Sequence, residues 1–169
     1  SKSFPKFEEL STPNPLSLAE AQSLLGKDEA LIKYLFWGKV SFVFVLRKDT
    51  VSARLIDLGL ADLQASIGRL RAGLDPTGLR KIPDFDTGTA HLLYRKLFQP
   101  IEPNLAGAQH LFVVPDDALQ SLPLTVLATK EVDWKIKTPD SYRDVPWFAR
   151  TYAITTDRKS TRLNSSHQI

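Results

Sequence analysis

Residues 30–58 read ALIKYLFWGKVSFVFVLRKDTVSARLIDL, and this stretch decides the fold class. Three runs of aliphatic and aromatic residues are parted by two short turn signals, Gly38-Lys39 and Lys48-Asp49. The first run, 30–37, is dense in residues that suit a pleated, buried surface. In the second, 40–46, Val40, Phe42, Phe44 and Leu46 fall on one face and Val43 and Val45 on the other. Apolar residues on both faces predict a strand covered on both sides, and the most buried segment of the first half of the chain. The third, 51–58, places Val51, Ala53 and Leu55 on one face with Ser52 and Arg54 opposite. Connections this short predict an antiparallel meander.

The flanking sequence switches to helical spacing. Upstream, Ser17 and Glu20 stand three apart in S-L-A-E, the spacing of a capping box. A short helix through Leu25 follows, with Leu18, Ala21, Leu24 and Leu25 on one side and Gly26 as its stop. Residues 1–15 are polar and proline-containing, a linker. Downstream, Leu60, Leu63, Ile67, Leu70 and Leu74 make one apolar stripe over 60–74, expected to cover a face of the sheet. Residues 82–88 read as loop, and 89–98 as a second helix burying Ala90, Leu93, Tyr94 and Leu97, ended by Pro100 and Pro103. HLFVV at 110–114 stops at Pro115 and suits a buried parallel strand, with Asp116-Asp117 as the turn or cap beyond it. Residues 122–127 predict packed irregular turns, 131–143 a polar loop, and 151–155 another strand. The fold class is α/β: helix, meander and amphipathic helix over 16–81, then the start of an α/β core over 88–156.

Composition narrows the function classes. The chain has 169 residues, 43% hydrophobic and 24% charged, which excludes a disordered, collagenous or coiled-coil protein. No apolar run approaches the length that spans a bilayer, and no signal peptide opens the chain, so a membrane is not an expected partner. There is no cysteine, hence no disulfide, no thiolate metal site and no cysteine nucleophile in these residues, which is compatible with a cytoplasmic protein. There is no methionine even at position 1, from which the chain is expected to be open at its N-terminus. Residues 157–167, DRKSTRLNSSH, resemble the translation of sequencing-adapter DNA. Residues 157–169 are therefore expected to be a non-native tail without packed structure. The tail carries Arg158, Lys159 and Arg162 against Asp157, two of the three net positive charges. Without it Lys and Arg number 19 against 18 Asp and Glu, no balance for a nucleic-acid partner.

Few residues invite chemistry. Of three histidines, His167 lies in the tail, His91 in the second helix and His110 at the start of a strand. None is spaced for a metal, and no glycine-rich phosphate loop or G-x-S-x-G is present, so no metal or cofactor is expected. Asp84 with Asp86, and Asp116 with Asp117, are the close carboxylate pairs. Acid–base work would need them facing a pocket with separated pKa values. Asp84 and Asp86 read as solvated loop residues. Asp116 follows the carboxyl end of a buried strand, where α/β sites collect, yet capping is the simpler role. Arg69, Arg71, Arg80 and Lys81 form a loose cluster that reads as the solvated side and exit of a helix. Trp147 and Phe148 read as core. Residue chemistry alone yields no catalytic, cofactor-binding or metal site.

Four blocks together resemble a CHAT domain, the caspase-like domain found after tetratricopeptide repeats in many bacterial proteins. They are PLSLAEAQSLLGKDEALIKYLF at 15–36, LYRKLFQPIEP at 93–103, HLFVVPDDALQSLPLTVL at 110–127 and PWFARTYAIT at 146–155. In the third block Val114-Pro115-Asp116 and Ala118-Leu119 match the family pattern. Asp117 replaces a usual glycine, Gln120 a frequent histidine and Leu124 a phenylalanine. The resemblance implies a mostly parallel sheet with helices on both faces and a cysteine endopeptidase acting on protein or peptide substrates. It also implies a His-Cys dyad in which a neutral histidine takes the thiol proton and the thiolate attacks the peptide carbonyl. Both motifs are expected beyond the strand at Tyr152 to Ile154, so no family catalytic residue falls on a position here. The alternative it leaves open is a non-catalytic pseudo-protease scaffold linked to the repeats. An incomplete parallel sheet is expected to leave 110–114 with an unpaired side, favouring aggregation or dimerisation through that edge.

Overall fold

The computed structural model describes residues 17–74, 84–132 and 139–156. Helix α1 (Leu18–Leu24) leads into strands β1 (Glu29–Trp37), β2 (Val40–Leu46) and β3 (Val51–Ile56). Helices α2 (Leu60–Ala72) and α3 (Thr87–Leu97) follow, then β4 (His110–Val114) and β5 (Ala153–Thr156), with short 3-10 turns between them. The five strands form one mixed sheet in the order β3-β2-β1-β4-β5, an α/β fold.

Strand β1 joins its two halves. It pairs antiparallel with β2, from Leu31 opposite Leu46 to Trp37 opposite Val40, and β2 pairs antiparallel with β3. On its other edge β1 runs parallel to β4, from Glu29 beside His110 to Lys33 beside Val114. Strand β4 runs parallel to β5 in turn. The meander is as expected, but β4 is paired on both sides, which corrects the expectation of an unpaired side at 110–114. Among the described residues the open edges are those of β3 and β5.

Helices α2 and α3 lie on one face. Leu63, Ile67 and Leu70 from α2 and Ala90, Leu93 and Leu97 from α3 share a buried core with Ala30, Ile32, Tyr34, Val43 and Val45. The apolar stripes of both helices are thus the ones the spacing predicts, although α2 ends at Ala72 and leaves Leu74 exposed. The Tyr34 hydroxyl is inside this core and donates to the Leu97 carbonyl at 3.0 Å. Burial pushes that phenol well above its ordinary pKa, so it stays a neutral donor. Residues 99–105, past the helix that Pro100 and Pro103 are expected to end, wind into a 3-10 turn that buries Ile101 and Leu105.

The other face corrects the reading of 40–46. Burial in β2 alternates: Ser41, Val43 and Val45 point into the core, whereas Phe42 is 42% exposed and Phe44 38%. The strand is not covered on both sides, although with Ser41, Val43, Val45 and Leu46 buried it has the largest buried share of the elements in its half. Period two explains the pattern, because one face meets α2 and α3 and the other meets no second layer among the described residues. Register carries the exposed stripe across the sheet, with Leu35 and Leu55 on either side of Phe42, and Trp37 beside Val40 at 80% exposed. The apolar set of β3, Val51, Ala53 and Leu55, faces outward too. Helix α1 is also less buried than its stripe predicts, with Leu18 and Leu24 exposed and only Leu25 buried behind it. It is held instead by polar groups: the capping box of Ser17 and Glu20 forms, and Gln22 Nε2 donates to the Arg47 carbonyl at 3.0 Å.

Two turns depend on glycine. Gly38, between β1 and β2, has φ of +55°, a left-handed conformation that costs a side-chain-bearing residue energy. Gly59, before α2, passes so close to that turn that a Cβ would stand 2.7 Å from the Gly38 oxygen. The approach lets the Leu60 amide donate to the same carbonyl at 3.0 Å. Helix α3 starts at Thr87, earlier than its apolar spacing predicts, because Asp86 caps it. The Asp86 carboxylate accepts from the Thr89 amide at 2.8 Å and from the Thr89 hydroxyl at 2.6 Å. Partial burial alone would raise this carboxyl, but the Thr89 hydrogen bonds and nearby Arg69 outweigh it and hold the pKa below the usual value.

Two outcomes are expected. In urea unfolding, Ile32→Ala should cost about 2–5 kcal/mol, since Ile32 is fully buried, while Phe44→Ala on the outer face should cost clearly less. Asp86→Ala should cost about 1 kcal/mol at neutral pH through loss of the cap. A carboxyl whose pKa is lowered by folding stabilises above its unfolded pKa and loses that contribution as pH falls through the folded one. The gap between Asp86→Ala and the parent chain should therefore narrow as pH falls below the ordinary aspartate range, read from melts across an acid series.

Candidate functional site

The turn after β4 is where an α/β sheet presents chemistry, and its construction begins with the strand. In β4 Leu111 and Val113 are buried and His110, Phe112 and Val114 half-buried. Pro115 is buried at the strand end and stops the ladder. Asp116 follows half-buried, and its carbonyl accepts from the Leu119 amide at 3.2 Å, opening the turn Asp117–Ser121. Behind it Leu119, Leu122, Leu124, Leu127 and Ala128 are all buried in the core. The expected packed, irregular segment is therefore a leucine-lined series of 3-10 turns. It is fastened to the following loop where Phe148 N donates to the Leu127 carbonyl at 2.8 Å.

The remaining sequence candidates are placed apart from one another. His91 on α3 is half-buried, and its Nδ1 lies 3.0 Å from the Ala128 carbonyl, tying the helix to the leucine turns. His110 lies on the outer face of the sheet. Its Nε2 is 2.8 Å from Thr155 Oγ1 on β5, and its Nδ1 is 3.9 Å from Glu29 Oε1 on β1. A hydroxyl, an imidazole and a carboxylate are thus aligned across three parallel strands. The 3.9 Å separation exceeds a hydrogen bond, and Glu29 Oε2 already accepts from the Gly26 amide at 2.7 Å. The hydrogen-bonded part, His110 to Thr155, is a clasp between β4 and β5. Sequence reasoning missed it because Glu29, His110 and Thr155 meet only through strand register.

Of the carboxylates, Asp86 is the cap already described and Asp84 is exposed before α3. The side chain of Asp117 lies outside the described residues. Arg69 acts on Asp86 from α2, while Arg80, Lys81, His167 and the tail 157–169 lie outside the described residues. Phe148 is fully buried, as expected, against Phe98 at a ring-centroid distance of 4.4 Å. Trp147 is only half-buried. Among the described residues no group of three or more His, Asp or Glu could hold a metal, and no helix is long and apolar enough to cross a membrane.

Residues 87–168 match the CHAT domain family. The blocks at 93–103, 110–127 and 146–155 fall inside the match, and the block at 15–36 precedes it. The match also runs through 157–168, the stretch that resembles adapter translation. No curated protein matches the chain. A solved structure described as an Alp12 filament structure is similar over 53% of this chain at 11% identity, with a TM-score of 0.29, a likeness too slight to carry an argument. The chain spans 36% of that structure's length. With β4, its V-P-D turn and the leucines packed behind it all inside the matched residues, the segment 87–168 of this chain belongs to the CHAT domain family.

Proposed function

We propose that this chain contributes the sheet-building, non-catalytic part of a CHAT-type cysteine endopeptidase, whose His-Cys dyad is supplied by sequence beyond these residues. The observation that carries this reading is the parallel pair β4-β5 inside the CHAT-matched segment, with β4 ending in a V-P-D turn, in a chain with no cysteine. Thiolate attack on a peptide carbonyl needs a cysteine and a neighbouring base, and these 169 residues supply no thiol. The parent's substrate is then a protein or peptide, with tetratricopeptide repeats upstream and no nucleic acid or membrane partner, in the cytoplasm. A second reading, a non-catalytic scaffold on the same fold, draws support from the broad apolar outer face of β1, β2 and β3. A face of that kind is common at interaction surfaces.

The present chain should release no peptide from a denatured protein substrate, at any concentration at which it stays folded. The natural reading frame that contains residues 17–156 should carry a strand ending in His-Gly and a later strand ending in Cys. Changing that cysteine to Ala in the purified parent should abolish cleavage and leave the thermal melt unchanged. A reading frame without the two motifs would overturn the peptidase reading and leave the scaffold.

A further inference from the structure

We infer that the outer face of β1, β2 and β3 is a homodimer surface, on which a second copy of this chain packs sheet against sheet about a two-fold axis. Six exposed apolar side chains form its centre: Leu35 and Trp37 on β1, Val40, Phe42 and Phe44 on β2, and Leu55 on β3. Strand register makes them one patch, with Leu35, Phe42 and Leu55 in a single row across the three strands. The surface precedes the CHAT-matched residues 87–168 and rests on neither reading of the function.

Area sets the size of the partner. Val51 and Ala53, also exposed, widen the patch along β3. Together these side chains offer on the order of 700 Å² of apolar surface, above the roughly 300–600 Å² of a monomer's largest patch and close to the roughly 800 Å² that each partner gives to an interface of standard size. Apolar residues at every second position are also what the inner face of a β-sandwich presents to the sheet packed on it.

Self-complementarity selects the second copy. Within the patch the charged side chain is Lys33, facing outward between the buried Ile32 and Tyr34. It stands two residues before Leu35, as Trp37 stands two residues after. A two-fold axis across the strands, along the row of Leu35, Phe42 and Leu55, reverses that order. Lys33 of each copy then lies over Trp37 of the other, and each charge meets an indole face instead of its like. The same operation sets Val40 against Phe44 and Phe42 against its own copy. Glu29, His110 and Thr155 lie beyond the patch on the same face and supply a polar rim. A net charge of +3 over 169 residues leaves little repulsion between copies.

Sedimentation velocity of the whole chain over about 1–100 µM tests the proposal. It should show a reversible shift from the 18.9 kDa monomer to a species of twice that mass. Phe42→Asp should weaken the dimer at least about thirtyfold while the dilute monomer keeps its melt. Leu92→Asp, at an exposed leucine of α3 in the other layer, should leave the dimer unchanged. Because the chain has no cysteine, Phe42→Cys reports the contact directly: oxidation should join two copies through position 42, and Leu92→Cys should not be joined. Three results would overturn the proposal: a monomer throughout the range, a dimer that Phe42→Asp leaves intact, or crosslinking of Leu92→Cys as fast as that of Phe42→Cys.

Discussion

Strand β1 must satisfy two incompatible-looking partners at once, and the whole molecule is arranged around that constraint. Its one edge accepts an antiparallel ladder from β2 over seven residue pairs, and its other a parallel ladder from β4 over five. Antiparallel pairing permits the two-residue turn at Gly38-Lys39, whereas parallel pairing requires a long crossover. Helices α2 and α3 and the 3-10 turn at 99–105 are that crossover, and they fall on one face of the sheet because the chain must return there to reach β4. The Tyr34 hydroxyl on β1 then fastens the end of α3. Arg47, after β2, donates to the carbonyls of Lys27, Asn104 and Ala106, clamping both entrances to the parallel pair.

Among the described residues, a sheet covered on one face is the consequence. Parallel strands are ordinarily buried on both sides, since their crossovers put helices there. Here the inner face holds the fully buried residues, and the outer face carries phenylalanine, leucine, valine and tryptophan into solvent. The polar groups spread through the same region do local work. Asp86 starts a helix, His91 holds a turn, and His110 joins β4 to β5.

Much of the local architecture was legible because it rests on periodicities. The 3.6-residue spacing of Leu63, Ile67 and Leu70, and of Ala90, Leu93 and Leu97, names the buried faces of both long helices. Ser17 with Glu20 marks the start of α1, and Pro115 the end of β4, through the hydrogen-bonding capacity of those residues alone. Alternation in 40–46 established a strand but left open which face meets the core: Phe42 and Phe44 are the larger residues, yet Val43 and Val45 are the buried ones. The helices decide that, by where the crossover brings them.

Sequence by itself therefore determined the element types, the antiparallel meander and the CHAT resemblance of the later blocks. Each of these depends on neighbours a few residues apart or on a contiguous motif. Tertiary structure alone decided that β1 and β4 pair, that Glu29, His110 and Thr155 align, and that Phe85, Tyr142 and Trp147 enclose a groove beside Asp84. Between the paired strands, and between Phe85 and Tyr142, tens of residues intervene, and nothing in the local sequence encodes the spatial separation across them. Their proximity follows from strand register and from helix packing, which are set by burying the inner face as a whole.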